Sequence, residues 1–142
     1  MKKLFFLFFS FFLLSFSKPQ TKQQSILIRL FASYTISSVN FIHVSGEYVI
    51  LGDGVKLFDA DKITFITVSL AGDSVLLQKP NFSKKFRAVQ FIPQSSSPSF
   101  KIKSLQPDYK VRTYDDELQI SALYKSLRII NKVDIEKYTA GV

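Results

Sequence analysis

The chain has 142 residues, 46% hydrophobic and 15% aromatic, with a formal net charge of +8 and no cysteine. Without cysteine a lipoprotein anchor and a disulfide framework are both excluded, so the folded part must be held by its core alone. The length suits one domain with a real core, and a basic balance by itself does not choose between nucleic acid, anionic polymers, lipid headgroups and plain solubility.

Met1-Lys2-Lys3 followed by an apolar run from Leu4 to Phe16, interrupted only by Ser10 and Ser15, is the pattern of a secretory signal peptide. Ser15-Phe16-Ser17 supplies the small residues of a cleavage site, which places the cut after Ser17 and makes 1–17 a leader. The run is short against the ~20 residues that a spanning helix needs, so no stable membrane anchor is expected after cleavage. Removal leaves 125 of the 142 residues and lowers the charge from +8 to +6 by taking Lys2 and Lys3. The expected location is therefore exported: periplasm, cell envelope or extracellular. Export argues against a nucleic-acid partner and favours anionic envelope polymers or lipid headgroups.

Residues 18–25 (KPQTKQQS) are polar and aperiodic and read as a tether. From Ile26 the texture becomes short runs of Ile, Val, Phe and Tyr between turn residues, which predicts strands. Ile26 to Phe31 alternates, and so does Val39 to Val44, with a bulge expected after Phe41. Tyr48–Leu51 and Val55–Phe58 flank Gly52-Asp53-Gly54, a strong hairpin signal. Ile63–Leu70 and Ser74–Leu77 flank Ala71-Gly72-Asp73 and predict a second hairpin. Val89–Ile92 ends at Pro93 before a Ser/Pro loop, and Phe100 and Ile102 alternate with Lys101 and Lys103. Beyond a turn at Gln106-Pro107-Asp108, strands are predicted over Val111–Tyr114, Leu118–Ala122 and Leu127–Ile130. The expected fold is mainly β: antiparallel hairpins forming a small sandwich or open barrel.

The pattern changes at Asp134, a good N-cap with Glu136 in the first turn where the helix dipole favours an anion. Ile135, Tyr138 and Val142 then fall on one helical face. That amphipathic pattern is still open at Val142. It predicts a short helix leading into a further α+β core, with the chain as the amino-terminal portion of a longer protein. The rival expectation is a short helix docked as a terminus.

Catalytic chemistry is sparse. His43, the single histidine, sits in an alternating strand away from any cysteine or acidic cluster and is expected to be packed or solvent-facing. No metal-ligand spacing, nucleophile elbow or phosphate loop is present, and no cofactor is expected. Asp115-Asp116-Glu117 and the pair Asp59 and Asp61 stand where turns are wanted. Either could serve acid/base work only if two carboxyls were held in different environments. Glu136 reads first as an anion of the helix's first turn.

The last thirty residues carry a resemblance. Arg112-x-Tyr114 is followed by Leu118-x-Ile120, then by Leu127-x-Ile129-Ile130-Asn131-x-Val133-x-Ile135-Glu136-x-Tyr138-x-Ala140-Gly141-Val142. This resembles the stretch R-x-Y-x-G-x-L-x-V … L-x-x-I-N-x-V-x-L-E-x-Y-x-x-G-V that opens the core of the SpoIID/LytB family (stage II sporulation protein D and amidase-enhancer proteins). The string from Asn131 to Val142 is the more specific part, and Asp115-Asp116 departs from the family's basic-plus-Gly turn. After the leader 1–17 and the tether 18–25, the resemblance implies an N-terminal β region 26–105 and the start of the core at 106–142. It implies lytic transglycosylase chemistry on peptidoglycan glycan strands, with the catalytic glutamate just beyond Val142 and hence no catalytic residue in the chain itself. Arg112, Tyr114, Asn131, Glu136, Tyr138 and Gly141 become supporting motif positions. The alternative is a non-catalytic envelope-binding or amidase-enhancing module whose partner is a cell-wall amidase. Sporulation enters only with the family name.

Overall fold

The computed structural model describes residues 23–60 and 65–141. The leader, most of the tether, Asp61, Ile63 and Val142 lie outside the described residues. Twelve strands and one helix follow one another: β1 (Ser25–Leu30), β2 (Ser38–Ser45), β3 (Tyr48–Gly52), β4 (Val55–Asp59), β5 (Ile66–Ala71), β6 (Ser74–Lys79), β7 (Phe82–Phe86), β8 (Ala88–Pro93), β9 (Ser99–Gln106), β10 (Arg112–Asp115), β11 (Glu117–Leu123), β12 (Ser126–Asp134) and α1 (Ile135–Ala140). They form two open, antiparallel six-stranded sheets with the orders β1-β12-β11-β8-β3-β4 and β10-β9-β2-β5-β6-β7. The expected mainly β architecture with a short C-terminal helix is the one observed, as a sandwich and not a closed barrel.

Alternation makes the sandwich. In β3, Tyr48, Ile50 and Gly52 are buried while Val49 and Leu51 are half-buried. In β9, Phe100, Ile102 and Ser104 turn inward and Lys101 outward. Phe41 of the second sheet is the hub. Its ring stacks on Phe91 of the first sheet at 4.3 Å between centroids and on Phe100 at 5.2 Å, and it meets Tyr48 edge-on at 5.5 Å. Aromatic pairs of this geometry add about 0.5–1.5 kcal/mol each beyond the area they bury.

The hairpins follow their turn chemistry. Gly52 pairs with Val55, leaving Asp53 and Gly54 as a two-residue loop with φ of 50° and 81°. Positive φ at both central residues is what a type I′ hairpin requires. Ala71 pairs with Ser74, and Gly72 at φ 67° supplies the left-handed first position of that loop.

The structure departs from the sequence expectations in several places. β7 was not anticipated: its middle residues Ser83, Lys84 and Lys85 are all exposed, so an edge strand leaves no alternation to read. The irregularities in β2 fall at Ser38/Val39 and His43/Ser45 and not directly after Phe41. Ser25 already belongs to β1, which pairs with β12 from Ser25↔Asp134 to Leu30↔Ile129. β9 runs through the 105/106 boundary, and both sheets take strands from either side of it. The turn expected at Asp115-Asp116-Glu117 does not pair the strands that it joins: β10 pairs with β9 and β11 with β8 and β12, so the chain changes sheets at Asp116. Asp115-Asp116-Glu117 is therefore a corner between layers. Among the described residues no helix is long and apolar enough to cross a membrane.

Candidate functional site at the sheet-crossing corner

The corner is assembled from its backbone outward. Asp116 takes a left-handed φ of 67°, which an aspartate tolerates better than most residues. Such a corner turns three successive carbonyls away from either ladder, and buried carbonyls need partners. Buried Asn131 of β12 donates from Nδ2 to the carbonyls of Asp115 at 2.8 Å and Glu117 at 2.9 Å. The Tyr48 hydroxyl donates to the carbonyl between them, Asp116, at 3.2 Å. Burial pushes the Tyr48 phenol well above its ordinary range, and the nearby Asp115 and Asp116 charges push the same way, so it remains a donor.

Side chains then tie α1 to the corner. Asp116 accepts from the Asp134 amide at 3.2 Å and from Lys137 Nζ at 2.7 Å. Asp134 caps the helix, accepting from the amides of Glu136 at 2.7 Å and Lys137 at 3.4 Å, and its other oxygen accepts from Gln23 Nε2. The Gln23 bond first, then the capping amides, hold the Asp134 carboxyl below the usual aspartate range. The bond to Asp116 holds the Lys137 ammonium above the usual lysine range. Lys132 closes the set with an ion pair to Glu117 at 3.2 Å.

Two open clefts flank this latch. One, of about 260 Å³, lies between Gln23, Pro93, Glu117 and Asp134; the other, of about 340 Å³, lies between Ser45, Ser97, Asp115 and Lys137. A third of about 250 Å³ adjoins them at Glu47, Tyr48, Asp59 and Gln94. This end of the sandwich thus gathers seven carboxylates: Glu47, Asp59, Asp115, Asp116, Glu117, Asp134 and Glu136. Asp116 and Glu117 are engaged by lysines, and Asp134 is held ionised, the opposite of what a proton-donating acid needs. Asp116, Glu117 and Asp134 are thus occupied at this corner, Asp116 and Asp134 in holding the helix.

The motif positions separate into two groups. Asn131 is at the heart of the corner. Tyr114 is half-buried on Phe100 at 5.9 Å, raised in pKa by burial and opposed by the Arg112 guanidinium beside it. Arg112 shares its strand face, as the pairings Arg112↔Ile102 and Tyr114↔Phe100 show. Glu136, Tyr138 and Gly141 are not brought in: α1 has no buried residue and Tyr138 is 47% exposed. Gly141 is the C-cap at φ −94°, and an added Cβ would make ordinary contacts with Lys137 O at 3.6 Å and Tyr138 O at 3.9 Å, so nothing here demands glycine. Asp59 pairs with Lys56 at 2.9 Å, and His43 Nε2 lies 2.6 Å from the Gly46 carbonyl. Among the described residues no group of three His, Asp or Glu side chains is placed to hold a metal ion.

Sequence reasoning missed Tyr48 and Lys137. Tyr48 reads as one more inward residue of an alternating strand, and Lys137 finds its partner 21 residues away. No family model, curated protein or solved structure matches the chain.

Proposed function

We propose that the chain is the β portion of an exported, peptidoglycan-active protein of the SpoIID/LytB kind, whose partner is the glycan strand. The observation that carries this reading is the string Asn131 to Val142 together with what its members do: Asn131 locks the corner from which Asp134 launches α1. The helix leaves the corner with Ile135 half-buried and Tyr138 exposed, a firmly held base for residues that follow.

In lytic transglycosylase chemistry a carboxylic acid protonates the glycosidic oxygen as its bond to C1 breaks. The 6-hydroxyl of N-acetylmuramic acid attacks C1, its proton passes to the carboxylate, and an anhydro end forms without water. One carboxyl serves where ordinary glycosidases use two. The resemblance implies that this acid stands beyond the matched motif positions, and it is consistent with the engagement of Asp116 and Asp134 in holding the helix and of Glu117 with Lys132.

The same engagement favours a second reading, a non-catalytic module that holds glycan or a cell-wall amidase. Incubating the full chain with denuded glycan strands tests both. Binding without release of anhydro-ended saccharides is expected. Release would overturn the placement of the acid, and absence of binding would overturn the peptidoglycan reading itself.

A further inference from the structure

The end of the sandwich opposite α1 is built from different residues. β12 carries Asp134 to the helix end and Ser126 to the other, where Leu123↔Ser126 closes the β11–β12 hairpin. Its two-residue loop is Tyr124-Lys125, with φ of 48° and 60°. Asn-Gly is the pair that such a loop favours, and a bulky side chain there strains the backbone. The strain gains nothing for the core, since Tyr124 is 92% exposed.

Neighbouring loops bring further aromatic rings. The Ile36 amide donates to Ser126 Oγ at 2.9 Å and the Leu127 amide to the Ile36 carbonyl at 2.6 Å, which sets the 31–37 loop beside the hairpin. The Ser37 amide donates to the Gln106 carbonyl at 2.8 Å, and Tyr109 follows close by. Tyr34, 48% exposed, lies 4.4 Å from Tyr109 between ring centroids. Among the described residues six non-glycine residues have positive φ; Asp53, Asn81 and Asp116 are of types that tolerate it, whereas Phe31, Tyr124 and Lys125 are not, and all three sit at this end. Lys110 and Lys125 are exposed here and form no ion pair among the described residues; Asp53, Asp73 and Asp108 share this end, Asp108 lying 3.8 Å from Lys103, and the other seven described carboxylates gather at the opposite end.

We propose that this tyrosine-lysine end is a second surface for a carboxylate-bearing polysaccharide, remote from the corner and α1. Tyr34 and Tyr124 offer ring faces to the sugars, Tyr109 backs Tyr34 from its place against the core, and Lys110 and Lys125 meet the carboxylates along the strand. Charge complementarity and the hydroxyl-rich surroundings of Ser33, Thr35 and Ser37 favour a glycan over a lipid surface, which would want an apolar tip. The inference rests on the peptidoglycan reading and adds a place where the strand is held.

The test is co-sedimentation of the full-length protein with insoluble peptidoglycan, comparing wild type with the double variant Tyr124→Asn/Lys125→Gly and with Tyr34→Ser. Asn-Gly suits the turn, so the double variant is expected to melt no lower than wild type while its apparent affinity falls at least tenfold. Tyr34→Ser is expected to weaken binding in the same direction. If wild type binds and both variants bind equally well, the surface is wrong and the peptidoglycan reading stands; if wild type does not bind, that reading falls first. Loss of binding to phosphatidylglycerol vesicles on the same substitutions, with peptidoglycan binding kept, would overturn the proposal in favour of a lipid surface.

Discussion

At the scale of the residue, Asn131 shows how one side chain decides a junction. Its amide nitrogen serves two carbonyls, and Tyr48 serves the carbonyl between them, so the corner leaves a layer without an orphaned acceptor. Leaving a buried group unsatisfied costs about 1–3 kcal/mol. Asn131→Ala, which strands two carbonyls, is expected to lower unfolding stability by at least about 2 kcal/mol in a urea titration. A loss under about 0.5 kcal/mol, the level of an ordinary surface substitution, would show that water replaces the amide at no cost. Asn131 was legible in the sequence as a motif position, but its role was not, because its partners are 14 and 16 residues away.

At the scale of the element, α1 is six residues long with no buried side chain, so its stability comes from its first turn. Isolated helices of this length do not persist in water, and the cap must supply what packing does not. Asp134→Ala is expected to fray the helix, seen as collapse of the amide shift dispersion of Glu136 and Lys137 in NMR spectra. The pH dependence follows from the two shifts. Asp134 has a folded pKa below its ordinary 3.8, so its contribution is full above that value and is lost as pH falls through the depressed one. Lys137 has a folded pKa above its ordinary 10.5, so its contribution is full below that value and is lost as pH rises through the elevated one. The docked helix should therefore persist across the neutral range and loosen at both extremes. Amide shifts of 135–140 that move midway, near pH 7, would contradict the latch.

At the scale of the molecule, the two sheets are joined by one aromatic cluster. Phe41 contacts three other rings from three other strands and is wholly buried. Phe41→Ala is expected to cost about 3–5 kcal/mol, the range for emptying a packed aromatic site. The same truncation at Phe65, which is 51% exposed, should change stability by less than about 1 kcal/mol. Equal losses at the two positions in paired denaturation curves would mean that the core is not centred where the structure puts it. The two ends of the sandwich also differ: seven carboxylates gather around α1, and Tyr34 and Tyr124 are exposed on the far loops.

What the sequence by itself determined was local: alternation within strands, the left-handed turn residues Asp53-Gly54 and Gly72, and the cap Asp134 two residues before the amide it accepts from. Each of these signals acts over a few residues, where backbone sterics and a single hydrogen bond choose the conformation. The tertiary structure decided the rest: which sheet β10 and β11 join, the closure of β1 onto β12, the edge strand β7, the bonds of Asn131 and the Asp116–Lys137 latch. β7 has a near partner in β6 and was hidden only because its exposed edge residues carry no alternation; the others depend on partners from 10 to over 100 residues apart, joined only when burial of the two inward faces brings distant strands together.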